Sequence, residues 1–436
     1  MARRPLARAL LIVAGGVLAV LAVNPLTLET WWFRQPHLPR PYALKVWLWD
    51  AAVLGAALGL AFVAGRARAD GPGIWRRSLG AGLLRFSVGL LLSGLLIEAS
   101  LRLTGLDIAF SPSLAQELAW RARQAAGAAG VWRGPHYVFS PALGWELRPT
   151  LRTGEIASNS AGLRGRREYP AQPGPGIRRV LCVGDSFTFG RFLRDEESLP
   201  ARLEAELNGT GAPRWEVLNL GVDGYGTDQQ WLALSQKGLR YRPQVVVLGF
   251  FEENLARNVL SFRDYAKPYF TLSDERLILH NVPVPSPEEL LARRPTFPLV
   301  YLFSLVTTLT EEFRLSVSIG DLARTPAGRV TLALLDAMRD AVVGRDAVFV
   351  LMSIPRPILA RASDTERLLA GWAARTRTPF LNLRAAYLEL PPSDRHRLYA
   401  GHWSAFGAAV TARLVADELR AVTRTIPATR DRASTD

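Results

Sequence analysis

Four residues of this chain could together cleave an ester. Ser186 lies in a Gly-Asp-Ser-Phe run, and Gly224, Asn254 and His402 follow it in other turn-forming segments. Ester cleavage by a hydroxyl needs an attacking oxygen, a base that takes its proton, and N–H donors that stabilise the oxyanion. Serine, histidine, a glycine N–H and an asparagine amide supply these parts. The sequence therefore predicts that Ser186 is a nucleophile.

The elements that must position these residues alternate along the chain. Five mostly apolar runs predict strands at 179–183, 215–220, 244–250, 347–352 and 379–383. Segments of helical composition lie at 198–207, 228–240, 328–343, 364–374 and 405–423. This alternation predicts an α/β fold, a parallel sheet with helices on both faces. Ligands of such sheets bind outside the carboxyl ends of the strands, where the four residues fall. Ser186 could otherwise merely cap a helix, but the shared edge favours the nucleophile.

With these motifs the chain resembles the SGNH (GDSL-type) hydrolases, in particular their membrane-anchored bacterial members, over about residues 179–419. Residues 184–190 match the first motif closely, 219–224 are similar to the second, and 159–165 are similar to a lead-in segment. The resemblance implies the SGNH hydrolase fold, with a flavodoxin-like sheet. It also implies Ser186 as nucleophile, His402 as general base, and Ser186, Gly224 and Asn254 as oxyanion donors. This chemistry needs no metal and no organic cofactor.

Two motifs depart from the family pattern. The third usually reads Gly-Asn-Asp, and here Asn254 stands between a glutamate and a leucine. The family also places an aspartate two or three residues before the histidine, where this chain has Tyr399 and an alanine. Such an aspartate holds the imidazole tautomer. Three explanations stay open: a backbone carbonyl such as that of Tyr399 orients the ring, Asp394 or Glu253 substitutes, or the enzyme is impaired.

The first 104 residues have the composition of a membrane anchor. Uncharged runs predict three helical spans at about 9–28, 46–65 and 80–101, since roughly 20 apolar residues cross a bilayer. This segment holds 12 Lys/Arg and 4 Asp/Glu, a net charge of +8 out of +14 for the whole chain. The basic residues flank apolar runs, which favours membrane topology over nucleic-acid binding. We therefore expect a lipid bilayer as a partner and no nucleic acid.

The remaining chain is predicted to form one domain on the far side of that membrane. Residues 105–176 are a connector, 177–423 the hydrolase-like domain with an insertion at 259–318, and 424–436 a disordered tail. Basic loops stay cytoplasmic, so three spans would place the domain on the outer, periplasmic face of a bacterial inner membrane. Two spans would instead leave it in the cytoplasm.

These patterns together predict a membrane-anchored serine esterase or acyl-ester hydrolase. The resemblance suggests an acyl-ester substrate such as an O-acetylated glycan or lipid. Two alternatives remain: an O-acyltransferase that uses the same Ser-His site on envelope glycans, and a non-catalytic envelope scaffold. The single cysteine, Cys182, excludes an intramolecular disulfide and a multi-cysteine zinc site, and its apolar neighbours predict a buried strand position.

Overall fold

The computed structural model describes residues 112–127, 135–209, 213–295, 322–357 and 362–423, with the single positions 94, 95, 98, 99, 102 and 301. The chain divides into two compact units, Met1–Ala115 with Thr296–Val317, and Gln116–Pro295 with Ser318–Asp436. The predicted spans 9–28 and 46–65 and the tail 424–436 lie outside the described residues, as does nearly all of 80–101. Among the helices that are described, none is long and apolar enough to cross a membrane.

The second unit contains the regular elements on which the site is built. Its strands are β1 Tyr137–Ser140, β2 Gly144–Leu147, β3 Ile177–Gly184, β4 Arg214–Gly221, β5 Val245–Phe251, β6 Phe262–Arg263, β7 Tyr265–Ala266, β8 Tyr269–Ser273, β9 Arg276–His280, β10 Val348–Ile354, β11 Phe380–Asn382, β12 Tyr399–Ala400 and β13 His402–Trp403. The described helices are α1 Pro112–Ala125, whose first residues belong to the other unit, α2 Ser186–Phe189, α3 Leu199–Asn208, α4 Thr227–Ala233, α5 Asn254–Arg257, α6 Pro287–Ala292, α7 Pro326–Val343, α8 Asp364–Thr376, α9 Leu383–Leu388, α10 Pro392–Arg395 and α11 Ala405–Thr423.

Five parallel strands form the central sheet, in the order β11-β10-β5-β3-β4. Numbered along the chain, this is the flavodoxin-like order 2-1-3-4-5. All five strands that the sequence predicted are present, within a few residues of the expected ends. The predicted parallel α/β sheet is therefore confirmed.

Helices cover both faces of this sheet because its strands are apolar on both sides. Alternate residues of β3 enter two separate cores: Leu181 and Val183 one, Val180 and Cys182 the other. Helices α7 and α8 pack on the first face, and α3 and α11 on the second. Cys182 is buried as predicted, and burial raises the pKa of its thiol to about 12. It is therefore a packing residue.

One predicted helix changes its pitch. The segment 228–240 begins as α4 but continues as a π-helical turn, Leu234–Gly238, and a 3₁₀ turn, Leu239–Tyr241. A side chain at Gly238 would press against Leu181 and Leu220 of the sheet. Glycine there lets the helix lie directly on the strands.

The region predicted as a connector contributes a folded hairpin. Strands β1 and β2 pair antiparallel, and Trp145 of β2 is completely buried. Residues 116–176 belong to the same compact unit as the sheet. Within the predicted insertion, β8 and β9 pair antiparallel as a hairpin.

Candidate active site

A row of glycines makes room for Ser186 above the sheet. Gly184 ends β3 and pairs with Gly221 of β4 and Gly249 of β5. A Cβ atom at Gly184 or Gly249 would clash with the side chain of Thr188, and one at Gly221 with the backbone of α2. The short helix α2, which begins at Ser186, therefore rests directly on the carboxyl ends of three adjacent strands.

Ser186 and His402 are brought together as the sequence predicted. His402 Nε2 lies 3.0 Å from Ser186 Oγ, and the serine keeps only 5% of its surface exposed. The histidine belongs to the two-stranded hairpin β12–β13. Its ring packs against Phe187, with centroids 4.9 Å apart, and against the edge of Phe192, with centroids 5.4 Å apart. A hydroxyl hydrogen-bonded to an imidazole is the arrangement of an activated serine nucleophile.

Asn254 is held in one orientation by a buried cation. Arg257, one turn along α5, donates from Nη1 to Asn254 Oδ1 over 3.0 Å and to Asp185 Oδ2 over 2.9 Å. The same nitrogen reaches the carbonyl oxygen of Tyr225 at 3.3 Å, and Nη2 bonds Glu253 Oε2 at 2.9 Å. Arg257 therefore ties together the loops that follow β3, β4 and β5.

This orientation leaves the amide nitrogen of Asn254 without a partner. Asn254 Nδ2 is buried and forms no hydrogen bond within the described part of the chain. Buried polar groups are rarely left unpaired, since each costs about 1–3 kcal/mol. The amide is therefore free to donate to a bound oxyanion, which would satisfy it.

Gly224 is fixed from both sides by the hairpin β1–β2. Trp145 Nε1 donates to the carbonyl oxygen of Asp223 over 2.9 Å, and the Tyr225 hydroxyl donates to the carbonyl oxygen of Trp145 over 2.5 Å. Gly224 itself has a φ of 79°, a left-handed conformation that glycine adopts without strain. Within the described chain, its N–H is not engaged in a hydrogen bond, and the same holds for the N–H of Ser186. Both N–H groups could serve as oxyanion donors.

The surroundings of His402 keep its ring neutral. Burial, together with the nearby cations Arg191 and Arg257, lowers the pKa of His402 to about 4, and Glu253 opposes this shift. A histidine with this pKa is unprotonated at neutral pH and can accept a proton. A general base at this position is therefore in the required state.

None of the three candidates for orienting His402 bonds its ring in the described residues. The carboxylate of Asp394 pairs with Arg397 at 3.2 Å. The carboxylate of Glu253 pairs with Arg257, and its side chain is 44% exposed. Tyr399 pairs with Trp403 across the hairpin, so its backbone is part of the same turn as the histidine. Aromatic packing and the bond to Ser186 are the contacts that hold the ring.

A second charged pair borders the site and was not found from the sequence. Arg191 Nη1 lies 3.4 Å from Asp223 Oδ2, and its guanidinium stands 4.8 Å from the centre of the Phe192 ring. Burial raises the pKa of Asp223 to about 6, against the lowering effect of Arg191. The signal was available, since Arg191 and Phe192 directly follow the nucleophile motif. Arg257 likewise stands three residues after Asn254, on the same helical turn.

Comparisons with known proteins found structural similarity at low sequence identity and low TM-score. The sequence matches no protein-family model and no curated protein. Solved structures similar to this chain include a lipase/acylhydrolase from Enterococcus faecalis, at 17% identity and a TM-score of 0.32. The matched region covers 56% of this chain and 96% of the lipase/acylhydrolase chain. The psychrotrophic esterase EstA from Pseudoalteromonas sp. has 13% identity and a TM-score of 0.33, with 57% and 99% covered. A GDSL-like lipase from Bacteroides thetaiotaomicron has 12% identity and a TM-score of 0.32, with 58% and 92% covered. Similarities of this size assign no function.

Proposed function

We propose that this protein is a serine hydrolase of acyl esters, with Ser186 as its nucleophile. The observation that carries the proposal is the 3.0 Å contact between Ser186 Oγ and the Nε2 atom of His402. The N–H groups of Ser186 and Gly224 and the amide of Asn254, which follow the carboxyl ends of β3, β4 and β5, offer three donors without partners in the described residues.

The reaction proceeds in two stages. His402 Nε2 takes the Ser186 proton while Oγ bonds to the carbonyl carbon of the ester. The carbonyl oxygen becomes an oxyanion and accepts hydrogen bonds from the three donors. The imidazolium then gives its proton to the leaving alcohol oxygen, the ester C–O bond breaks, and the acyl group stays on Ser186. A water molecule, deprotonated by the same His402, releases the acid and restores the serine.

A fluorophosphonate probe tests this proposal on the full chain. The wild-type protein should be phosphonylated at one site, Ser186→Ala should not react, and a mass measurement should locate the adduct on Ser186. Thr188→Ser, a neighbouring hydroxyl that remains a hydroxyl, is the matched control and should react like the wild type. A folded wild-type protein that never reacts would refute the proposal and favour the non-catalytic scaffold.

We further propose that residues 1–104 anchor this hydrolase in a bacterial inner membrane and place it on the periplasmic face. The support is the uncharged runs 9–28, 51–65 and 86–97, which lie within the predicted spans 9–28, 46–65 and 80–101, and the basic residues clustered at 1–8 and 66–77. Alkaline phosphatase fused after residue 436 should be active, and green fluorescent protein at the same point should not fluoresce. The opposite pair of results would place the domain in the cytoplasm.

A further inference from the structure

Phe192 is an exposed aromatic residue that contacts the proposed general base. Its side chain is 70% exposed, the most exposed of the large apolar residues in the described chain. Its ring and the ring of His402 meet in a T-shaped contact, with centroids 5.4 Å apart and planes at 79°. A single exposed apolar residue is ordinary on a protein surface, but this one lies beside the proposed reacting groups, where a bound substrate would contact it.

The backbone around Phe192 holds it there in an uncommon conformation. Phe192 has a φ of 65°, which is rare for a bulky residue and persists only where neighbours enforce it. The buried guanidinium of Arg164 donates to the carbonyl oxygens of Phe189, Gly190 and Leu193 at 2.5–2.7 Å. The N–H of Arg191 also donates to the carbonyl oxygen of Ser186 over 2.9 Å. The segment is therefore fixed relative to the nucleophile on both sides of the strained residue.

The chemistry of the first stage says which part of a substrate lies at Phe192. His402 Nε2 must reach the leaving alcohol oxygen to protonate it, whereas the acyl carbonyl oxygen lies at the donors Gly224 and Asn254. A group that packs on the His402 ring therefore borders the alcohol side of the ester. We propose, on the basis of the hydrolase function above, that Phe192 and Arg191 form the binding subsite for the alcohol portion.

The two side chains also indicate the class of alcohol. The face of the Phe192 ring is flat, apolar and electron-rich, and it suits the C–H face of a sugar ring. The Arg191 guanidinium, 4.8 Å from that ring and 28% exposed, carries N–H donors that suit sugar hydroxyls. A simple alkyl alcohol would use the ring but not the cation. The subsite therefore fits an acyl ester of a pyranose.

Two acetate esters with different alcohols test this assignment. An O-acetylated methyl glucoside and ethyl acetate give the same acetyl-enzyme, so they differ only in the leaving group. Phe192→Ala should lower kcat/KM for the sugar ester roughly tenfold, the size of one aromatic contact. Because Phe192 also packs on His402, any loss of kcat/KM for ethyl acetate measures that support. This loss should be several-fold smaller than the loss for the sugar ester, and Phe192→Trp should restore the ratio of the two kcat/KM values. Val343→Ala, another exposed apolar residue, is the control and should change neither.

The breakdown of the acetyl-enzyme separates a binding role from a structural one. The alcohol has left by then, so Phe192→Ala should slow hydrolysis of the intermediate by no more than it slows the reaction of ethyl acetate. An equal loss of kcat/KM for both esters, which leaves their ratio unchanged, would mean that Phe192 only supports His402 and would overturn the subsite. A breakdown slowed as much as the reaction of the sugar ester would also overturn it. If any of these results is obtained while Ser186 still reacts with the fluorophosphonate, the proposed hydrolase function stands and only the subsite assignment is wrong.

Discussion

The two sides of the crevice are held by different forces. On the side of the proposed oxyanion donors, called the oxyanion side below, Arg257 forms four charge-assisted contacts that fix Asn254 relative to Asp185, and it is 6% exposed. On the side of the proposed general base, called the base side below, His402 sits on a two-residue strand between Phe187 and Phe192, with no carboxylate bonded to it in the described residues.

The difference indicates which groups of this site are held most rigidly. Directional hydrogen bonds fix the donors that meet developing charge, and such preorganised donors are worth about 2.7–4 kcal/mol each. Aromatic contacts, which restrict a ring without fixing its tautomer, hold the base. We therefore expect changes on the two sides to differ in size and in kind, and four experiments address this.

Loss of the base itself should have the largest effect. His402→Ala should lower kcat for a small ester by roughly 10³–10⁶-fold, because the serine then has no proton acceptor. The oxyanion donors stay in place, so residual activity above that of water should remain. The control is His396→Ala, which removes an exposed histidine that lies shortly before His402 in the sequence. A loss below tenfold would mean that another group accepts the proton.

Weakening the oxyanion side should come next. Arg257→Lys keeps a cation for Asp185 but cannot donate to four acceptors, so Asn254 should lose its fixed orientation. We expect kcat to fall by about 10–1000-fold with little change in KM, since the donor acts in the transition state.

The matching variant for this prediction is Asn254→Ala. If Arg257 acts through Asn254, the double variant should be no slower than Asn254→Ala alone. Multiplied losses, or a changed pH dependence without a change in kcat, would contradict the positioning role. Circular dichroism and thermal unfolding check that each variant is folded.

The pH dependence of kcat/KM should report the ionisation of His402. The pKa of His402 is lowered to about 4, so kcat/KM for ethyl acetate should rise with pH through about 4 and level off before neutral pH. Arg191 helps to lower this pKa, and Arg191→Gln should therefore move the acidic limb to higher pH. Arg339→Gln, a surface cation on α7, should leave it in place. A limb near 6.5 in the wild type would mean that an acid supports the imidazolium.

The smallest effect should come from the carboxylates that sequence reasoning offered as substitutes. Asp394→Asn and Glu253→Gln should each change kcat/KM by less than about threefold, because Asp394 pairs with Arg397 and Glu253 with Arg257. A loss of a hundredfold or more for either would identify it as the orienting acid. The backbone carbonyl of Tyr399 stays the remaining candidate if both variants are active.

Much of the scaffold could be predicted because its signals are local. The apolar runs that became β3, β4 and β5 each end in a glycine or near one, and the loops after them contain Ser186, Gly224 and Asn254. In a parallel sheet these ends share an edge, so the meeting of the three loops follows from the pattern of strands alone. The position of His402, in the loop before the last helix α11, could be predicted from the sequence pattern in the same way.

The sequence by itself thus determined the parallel sheet, the placement of its loops and the residue types offered to an ester. Tertiary structure decided which side chains touch. Arg257 bonds Asp185 across 72 positions, and Phe192 lies against His402. Their places beside the predicted motifs mark Arg257 and Phe192 as candidate site residues but do not indicate these distant partners. The physical reason is the distance along the chain over which each feature is determined. Strand and helix patterns depend on neighbours along the chain, whereas these contacts depend on strand order and register, which bring distant loops to one edge.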